Sequence, residues 1–248
     1  MKDKPRDPHP YFVKKVMKKI LPKHVYQSNF GRHENVSHQT WTHFAKQVSD
    51  NGTIIDVGAF EGEYSILARM ANPTAHIIAF EPNPTSVIQL RTKTKDYDVK
   101  VEEIALANSS GYRSFSDNSR TSQLCEGDGA FLVETKTLDE YCLEKQLNLE
   151  LMKIDTEGAE TEILQGCQDL LMKYKPIIIC EVLTNSAGLS VMEILSPTYL
   201  FFKIDENKGL FISSVVDRQK WRNMNWLFLP KTETDRLNGF KWKREFSG

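Results

Sequence analysis

One stretch decides the fold of this chain: Ile54-Ile55-Asp56-Val57-Gly58-Ala59-Phe60-Glu61-Gly62-Glu63-Tyr64-Ser65. It begins as a short apolar run, passes through a turn that contains glycine, and continues into helix-forming residues over 64–70. That order predicts a first β-strand, a tight loop, and a helix whose N-terminus faces a bound ligand.

Loops of this kind bind either dinucleotides or S-adenosylmethionine, and the residues of the turn discriminate between the two ligands. A pyrophosphate-binding loop carries G-x-G-x-x-G, which lets the backbone close on the phosphates. Here the pattern is D-x-G-x-x-x-G, with Asp56 at the strand end and Glu61 and Glu63 in the same turn. Three carboxylates would repel a pyrophosphate, but they suit a ligand with an ammonium and a sulfonium group. The loop therefore predicts binding of S-adenosylmethionine.

A second apolar run, 76–80, ends in Glu81, about twenty residues beyond the glycine loop. In a nucleotide-binding sheet, the second parallel strand delivers such a carboxylate to the ribose hydroxyls. A solvated acid at a strand end is the alternative, and the spacing from Asp56 and Gly58 argues against it. The predicted cofactor contacts come from the loop and from the ends of the second and third strands: Asp56, Gly58, Phe60, Gly62, Ser65, Glu81, Pro82, Asn83, Ile104 and Ala105.

The rest of the chain alternates strand and helix patterns, then ends in closely spaced strands. Apolar runs predict strands at 99–105, 149–155 and 177–182, followed by 199–204, 210–215 and 226–229. This order indicates an α/β fold with a mostly parallel sheet and an antiparallel edge. Residues 112–135 are rich in small polar residues and are predicted to be irregular or hairpin-like. For Ile104 and Ala105, a plain junction between strand and turn is as good an interpretation as contact with adenine.

Composition narrows the classes of protein. The net charge of −1 gives no case for a nucleic-acid binder. No window reaches the eighteen apolar residues or so of a membrane span. The four cysteines show neither C-x-x-C pairing nor metal spacing with histidine, which indicates reduced thiols in a cytoplasmic protein: Cys125, Cys142, Cys167 and Cys180.

The N-terminal part, 1–29, is predicted to be a basic tail with an amphipathic helix, and 30–248 to be the main domain. Residues 1–24 hold eight Lys and Arg against two Asp. Over 11–21, an apolar stripe lies opposite lysines, and Pro22 stops the helix. Packing on its own domain is favoured over contact with an anionic membrane. The oligomeric state stays open.

Acids follow the fourth and fifth predicted strands, where ligands bind in an open α/β sheet. Asp155, Glu157 and Glu181 are the predicted catalytic residues, whereas Glu160 is assigned to the N-terminus of the following helix. Adjacent strands lie about 4.8 Å apart, so Asp155 and Glu181 cannot both stay ionised and unpaired. A shared proton, a basic partner such as Lys153, or a divalent cation would resolve this. Direct carboxylate chemistry is favoured over a metal, and no metal ligand is assigned.

Five blocks of sequence resemble the FkbM family of S-adenosylmethionine-dependent methyltransferases, over about residues 30–230. The resemblance implies a seven-stranded class I methyltransferase fold and O-methylation of a sugar or natural-product hydroxyl. Phe60 and Glu61 depart from the residues common in the family's loop, and the N-terminal helix lies outside the pattern. The blocks are Asp56-Val57-Gly58-Ala59, Phe80-Glu81-Pro82-Asn83, Thr137-Leu138-Asp139, Lys153-Ile154-Asp155-Thr156-Glu157-Gly158-Ala159-Glu160 and Asn225-Trp226-Leu227-Phe228-Leu229-Pro230.

The favoured function is therefore an O-methyltransferase that acts on a hydroxyl of a sugar, glycolipid or glycosylated metabolite, with a small-molecule or glycan acceptor. Methylation of nitrogen or of a carboxyl group on the same fold is one alternative, which the missing N/D-P-P-Y block disfavours. A non-catalytic module that binds S-adenosylmethionine is another. Retention of Asp56, Glu81 and Asp155 argues against that module.

Overall fold

The computed structural model describes residues 35–240, apart from 118–121, 126, 128 and 219–223, together with the backbone of 242–244. The predicted basic helix at 11–21 and the domain boundary near residue 30 lie outside these residues. Both stay predictions.

Helices and strands alternate through the first two thirds of the described chain. The helices are α1 (Val36–Ala45), α2 (Glu63–Ala71), α3 (Pro84–Thr94), α4 (Leu138–Lys145), α5 (Glu160–Gln165), α6 (Gln168–Lys173) and α7 (Asn185–Leu195), with a 3₁₀ turn at Thr234–Leu237. The strands are β1 (Thr53–Val57), β2 (His76–Phe80), β3 (Val99–Glu102), β4 (Ala105–Leu106), β5 (Gly111–Phe115), β6 (Leu124–Cys125), β7 (Phe131–Lys136), β8 (Leu149–Ile154), β9 (Ile177–Glu181), β10 (Tyr199–Asp205), β11 (Gly209–Ser213), β12 (Asn225–Pro230) and β13 (Trp242–Arg244).

The main sheet has the strand order β13-β11-β10-β12-β9-β8-β1-β2-β3. Strands β3, β2, β1, β8 and β9 are parallel, whereas β12 runs antiparallel between β9 and β10. The mostly parallel sheet with an antiparallel edge is thus confirmed. The family resemblance implied seven strands, and β11 and β13 add two more at the edge next to β10. The sequence pattern predicted β11 but not β13.

The third predicted strand, 99–105, is two strands in different sheets. β3 ends at Glu102 in the main sheet, and Ala105 begins β4 in a second sheet of order β4-β7-β5-β6. The chain changes sheet because Ala105 pairs with Thr135 of β7 and packs with Phe115 and Val133. The prediction of one continuous strand is therefore wrong, whereas the hairpin expected within 112–135 is present as β5 to β7.

The central strands are buried on both faces, as their near-continuous apolar runs require. Every residue of β1 and of β9 is buried. Helix α1 is fixed beside α2 by Trp41, whose Nε1 donates a hydrogen bond to the Tyr64 carbonyl at 2.8 Å. Among the described residues, none of the helices combines the length and the apolar character that crossing a membrane requires. All four cysteines are free thiols.

Candidate active site

One row of residues crosses the main sheet at the carboxyl ends of its parallel strands. In the last paired row, Val57 lies between Phe80 and Ile154, and Ile154 pairs with Cys180. The next residue on each strand therefore shares one level of the sheet. The sheet register thus brings together four residues that the sequence predicted for the site: Glu81, Gly58, Asp155 and Glu181.

The two glycines of the loop have different structural tasks. Gly58 has φ +75°, and a Cβ there would lie 1.9 Å from the carbonyl oxygen of Asp155. Gly62 has φ +84°, and a Cβ there would lie 2.5 Å from Leu90 of α3. Gly58 thus permits close approach to the acidic loop that follows β8. Gly62 instead permits packing of the loop on α3. Its contact with the cofactor stays a prediction.

Glu81 fastens the glycine loop to the end of β2. Its Oε2 accepts a hydrogen bond from the Phe60 amide at 2.8 Å, and its Oε1 accepts one from the Asn83 amide at 2.9 Å. Asn83 then caps α3 by accepting from the Thr85 amide at 2.9 Å. Burial raises the pKa of Glu81, and the two amide bonds partly offset that rise. The predicted contacts Phe60, Glu81, Pro82 and Asn83 therefore form one connected edge.

Asp56 and Ser65 lie beneath this edge. Asp56 is 1% exposed, and Oγ of Ser65 donates a hydrogen bond to its Oδ2 at 2.7 Å. Burial raises the pKa of Asp56. Its register partner on β8 is Lys153. Direct contact of Asp56 or Ser65 with a ligand stays a prediction, and their observed bond joins β1 to α2.

Lys153 completes the site, and sequence reasoning named it only as a possible counter-charge. Its side chain is 2% exposed, and Nζ lies 2.6 Å from Oδ2 of Asp155. The same nitrogen lies 4.3 Å from the ring centroid of Tyr64. Burial lowers the pKa of Lys153, but the charges of Asp155 and Asp56 outweigh burial and raise it. The available signal was a lysine within a buried strand, two residues before Asp155, a predicted catalytic acid, and therefore on the same face of the strand.

Asp155 and Glu181 form a hydrogen-bonded carboxyl pair on neighbouring strands. Burial, and then the charge of Asp155, raise the pKa of Glu181 to about 9. Burial alone would raise the pKa of Asp155, but the charge of Lys153 and hydrogen bonds from Lys153 and Glu181 hold it below its usual value. The pair therefore shares one proton at neutral pH, with the negative charge on Asp155 next to Lys153.

Three arrangements were expected to relieve the repulsion between Asp155 and Glu181. The structure combines two of them, a shared proton and a basic partner. Among the described residues, no group of three His, Cys, Asp or Glu side chains is arranged to hold a metal ion. The side chain of Asp155 is 34% exposed, so its carboxylate remains open to a ligand.

The loop after β8 contains two further glutamates with different surroundings. Glu157 has φ +59° and a half-buried side chain beyond the carboxyl pair. Glu160 is buried, and its Oε1 accepts hydrogen bonds from the Thr156 amide at 3.0 Å and the Gly158 amide at 3.1 Å. Glu160 therefore holds the shape of the loop, which is a more specific task than the helix-end charge that the sequence suggested.

Another family block, Thr137-Leu138-Asp139, has a structural task. Thr137 accepts a hydrogen bond from the Glu140 amide at 3.1 Å and so caps α4. Asp139 accepts hydrogen bonds from the Asp169 and Leu170 amides, both at 3.0 Å, and so caps α6. Thr137 and Asp139 therefore cap helices and do not belong to the row at the sheet edge.

The second sheet reaches both sides of the row. Asn83 donates hydrogen bonds to Asp117 at 3.2 Å and to Ser122 at 3.4 Å. Oε1 of Gln123 lies 3.5 Å from the position that a Cβ would take at Gly158. Of the two predicted adenine contacts, Ile104 is partly buried against the main core, and Ala105 is buried in the second sheet.

A sheet of this strand order, mostly parallel with an antiparallel edge, is that of the class I methyltransferase fold. The family model described as the methyltransferase FkbM domain matches residues 56–201. The chain therefore belongs to this family.

Two relatives illustrate the similarity. The 2-O-methyltransferase NoeI of Sinorhizobium fredii (strain NBRC 101917 / NGR234) is 24% identical over 145 residues, which cover 49% of this chain and 60% of the relative. The solved structure of methyltransferase FkbM from Methylobacillus flagellatus KT shares the fold with a TM-score of 0.52 and 15% identity. The match covers 74% of this chain and 47% of the chain in the solved structure. The chain thus spans less than two thirds of the length of either relative.

Proposed function

We propose that the protein is an O-methyltransferase that acts on a hydroxyl of a sugar, glycolipid or glycosylated metabolite. The observation that carries the proposal is the carboxyl pair of Asp155 and Glu181, which shares one proton above the buried Lys153. Such a pair suits a neutral hydroxyl, because the pair carries one negative charge that can accept a proton. The relative described as a 2-O-methyltransferase supports transfer to oxygen.

The residues at the other end of the row fit the cofactor. Each oxygen of Glu81 accepts one amide hydrogen bond and retains capacity for a second, which the ribose hydroxyls would supply. Gly58 lies between Glu81 and Asp155 in the row, so its backbone would border the cofactor there, while the Asp155 carbonyl occupies the space that a side chain would need. When bound, S-adenosylmethionine supplies a methyl group: its carbon bonds to the acceptor oxygen as its bond to sulfur breaks, and the bonding electrons pass to sulfur.

Proton removal from the acceptor falls to the carboxyl pair. Asp155 is the ionised member, and its partly exposed side chain follows directly after the carboxyl end of β8. The pair takes up the hydroxyl proton as the acceptor oxygen becomes an ether oxygen. Before this transfer, Lys153 holds the negative charge of the pair on Asp155. General base catalysis of this kind typically contributes about 10²–10⁴ in rate. Glu157, next along the loop, is a further candidate for contact with the acceptor.

The experiment is transfer of labelled methyl to a panel of methyl pyranosides and to fractionated lysate of the producing cell, with each product identified by mass. We expect label on oxygen of a glycoside, and a loss of about 10²-fold or more in turnover for Asp155→Asn with unchanged cofactor affinity. The exposed Glu134→Gln serves as control. Label on nitrogen, or full turnover in both Asp155→Asn and Glu181→Gln, would overturn the proposal. Activity that survives EDTA separates carboxylate chemistry from the metal alternative.

A further inference from the structure

Asn225 lies beside Glu181 at the same level of the sheet. It is the first residue of β12, whereas Glu181 is the last residue of β9, and the two are paired in the antiparallel register. The Val182 amide donates a hydrogen bond to the Met224 carbonyl at 2.9 Å, so the ladder bonds flank this pair rather than join it. In such a pair, both side chains lie on one face with Cβ atoms about 4.5–5.5 Å apart. The row of site residues therefore continues through Asn225.

Two oxygen atoms at this end of the row are buried and short of partners. Within the described part of the chain, Oδ1 of Asn225 has no hydrogen-bond partner, and Oε2 of Glu181 has none beyond the carboxyl pair. Glu181 is 9% exposed, so little solvent reaches its carboxyl group. A buried polar atom without a hydrogen bond destabilises a protein, and native structures contain few such atoms. The two oxygens are therefore placed for a ligand that donates hydrogen bonds.

The two atoms match a ligand with two neighbouring donors. An amide oxygen accepts hydrogen bonds, and so does a carboxyl oxygen that carries no proton. Adjacent hydroxyls on a sugar ring lie close enough to donate one hydrogen bond to each of two neighbouring acceptors. Because the reacting hydroxyl must lie at the carboxyl pair, the hydroxyl beside it falls next to Asn225.

We infer that Asn225 is a specificity residue that accepts a hydrogen bond from the hydroxyl adjacent to the one that is methylated, so that the enzyme selects vicinal diols. This inference rests on the proposed function, because it assumes a sugar hydroxyl at the carboxyl pair. Asn225 itself takes no part in proton transfer. Its effect is on acceptor binding rather than on the chemical step.

The test combines a change in the protein with a change in the acceptor. Wild type and Asn225→Ala are each assayed with the best methyl pyranoside of the panel and with its deoxy counterpart, which lacks the hydroxyl adjacent to the methylated oxygen. For wild type, we expect removal of that hydroxyl to raise KM about tenfold, since one hydrogen bond is lost and one buried acceptor is left unpaired. For Asn225→Ala, we expect the two acceptors to differ by less than about twofold.

Two controls keep the outcome interpretable. Calorimetry with S-adenosylhomocysteine should give the same affinity for wild type, Asn225→Ala and the gentler Asn225→Ser, which shows that the fold is intact. Asn207→Ala, in an exposed turn, should retain the full penalty for the deoxy acceptor. An equal penalty in wild type and both Asn225 variants would overturn the inference alone. No transfer to any glycoside by wild type would refute the proposed function, and the inference with it.

Discussion

The ammonium group of Lys153 lies 2.6 Å from Oδ2 of Asp155, within a strand where the lysine is only 2% exposed. A buried charge is costly unless a partner of opposite charge lies close to it. Here the partners are Asp155 and, in the register of the neighbouring strand, Asp56. The lysine therefore belongs to the electrostatic balance of the site, and this relationship yields the first prediction.

Replacing Lys153 by Met should reduce kcat and move the acidic limb of the pH–rate profile to higher pH. Without the lysine, only the hydrogen bond from Glu181 offsets the burial that raises the pKa of Asp155, so the carboxyl pair ionises less readily. We also expect a loss of about 3–5 kcal/mol in the free energy of unfolding, because the carboxylates are left uncompensated. The measurements are kcat/KM against pH and urea denaturation. Lys93→Met, which breaks the half-buried ion pair with Glu61, should cost about 0–1 kcal/mol and leave the profile in place.

An unshifted pH profile in Lys153→Met would show that Lys153 does not act on the carboxyl pair. Lys153→Arg retains the positive charge. It should therefore preserve the position of the acidic limb even if packing around Tyr64 suffers.

Replacing Glu81 by Ala should weaken binding of S-adenosylmethionine by about tenfold or more. The carboxylate accepts hydrogen bonds from the amides of Phe60 and Asn83. Its loss would therefore release the loop and also remove the proposed contact with the ribose hydroxyls. Isothermal calorimetry measures the change. Glu103→Ala is the matched control, since Glu103 is exposed just beyond β3 and pairs only with Arg91 among the described residues. Unchanged affinity in Glu81→Ala, or tight binding of NADH by wild type, would remove the cofactor assignment.

Replacing Glu181 by Gln should stabilise the protein at neutral pH. The unfolded chain releases the Glu181 proton near the ordinary pKa of 4.5, whereas the folded protein keeps it until about pH 9. Between pH 4.5 and about 9, the Glu181 carboxyl is ionised in the unfolded chain but still protonated in the folded protein. The free energy of unfolding therefore falls as the pH rises through this range. The gain from Glu181→Gln should be near zero at about pH 4–5 and reach about 1–3 kcal/mol at pH 7. Urea denaturation across this range tests it, with exposed Glu134→Gln as control. A gain that does not vary with pH would contradict the assigned pKa.

Replacing Gly58 by Ala should destabilise the fold far more than the same change at Gly239. Both residues have positive φ, +75° and +85°, so both substitutions carry a backbone strain of about 1 kcal/mol. Of the two, Gly58 is where the new Cβ would meet another atom, the Asp155 carbonyl oxygen at 1.9 Å, whereas no atom of the described residues lies within 4 Å at Gly239. We expect a loss of about 3 kcal/mol or more for Gly58→Ala. Equal losses in thermal unfolding would mean that loop strain, not the approach to Asp155, explains the glycine.

The sequence by itself determined the fold class and the acids at the strand ends. Strand, loop and helix follow from local periodicity, and a glycine loop followed by Glu81 at the end of the next strand is visible without any tertiary contact. The structure confirmed the fold class, because the apolar runs form the expected parallel strands. The pairing of Asp155 with Glu181 also followed, since consecutive parallel strands of such a sheet are usually neighbours.

Only the tertiary structure decided how the remaining residues divide between chemistry and architecture. Glu160 shapes the acidic loop and Asp139 caps a helix of a later segment, although both belong to family blocks. Ala105 leaves the main sheet because its partner is Thr135, thirty residues along the chain. Asn225 reaches Glu181 because β12 inserts antiparallel between β9 and β10. The register between strands distant in sequence is set by packing and turn geometry, and no local pattern encodes it.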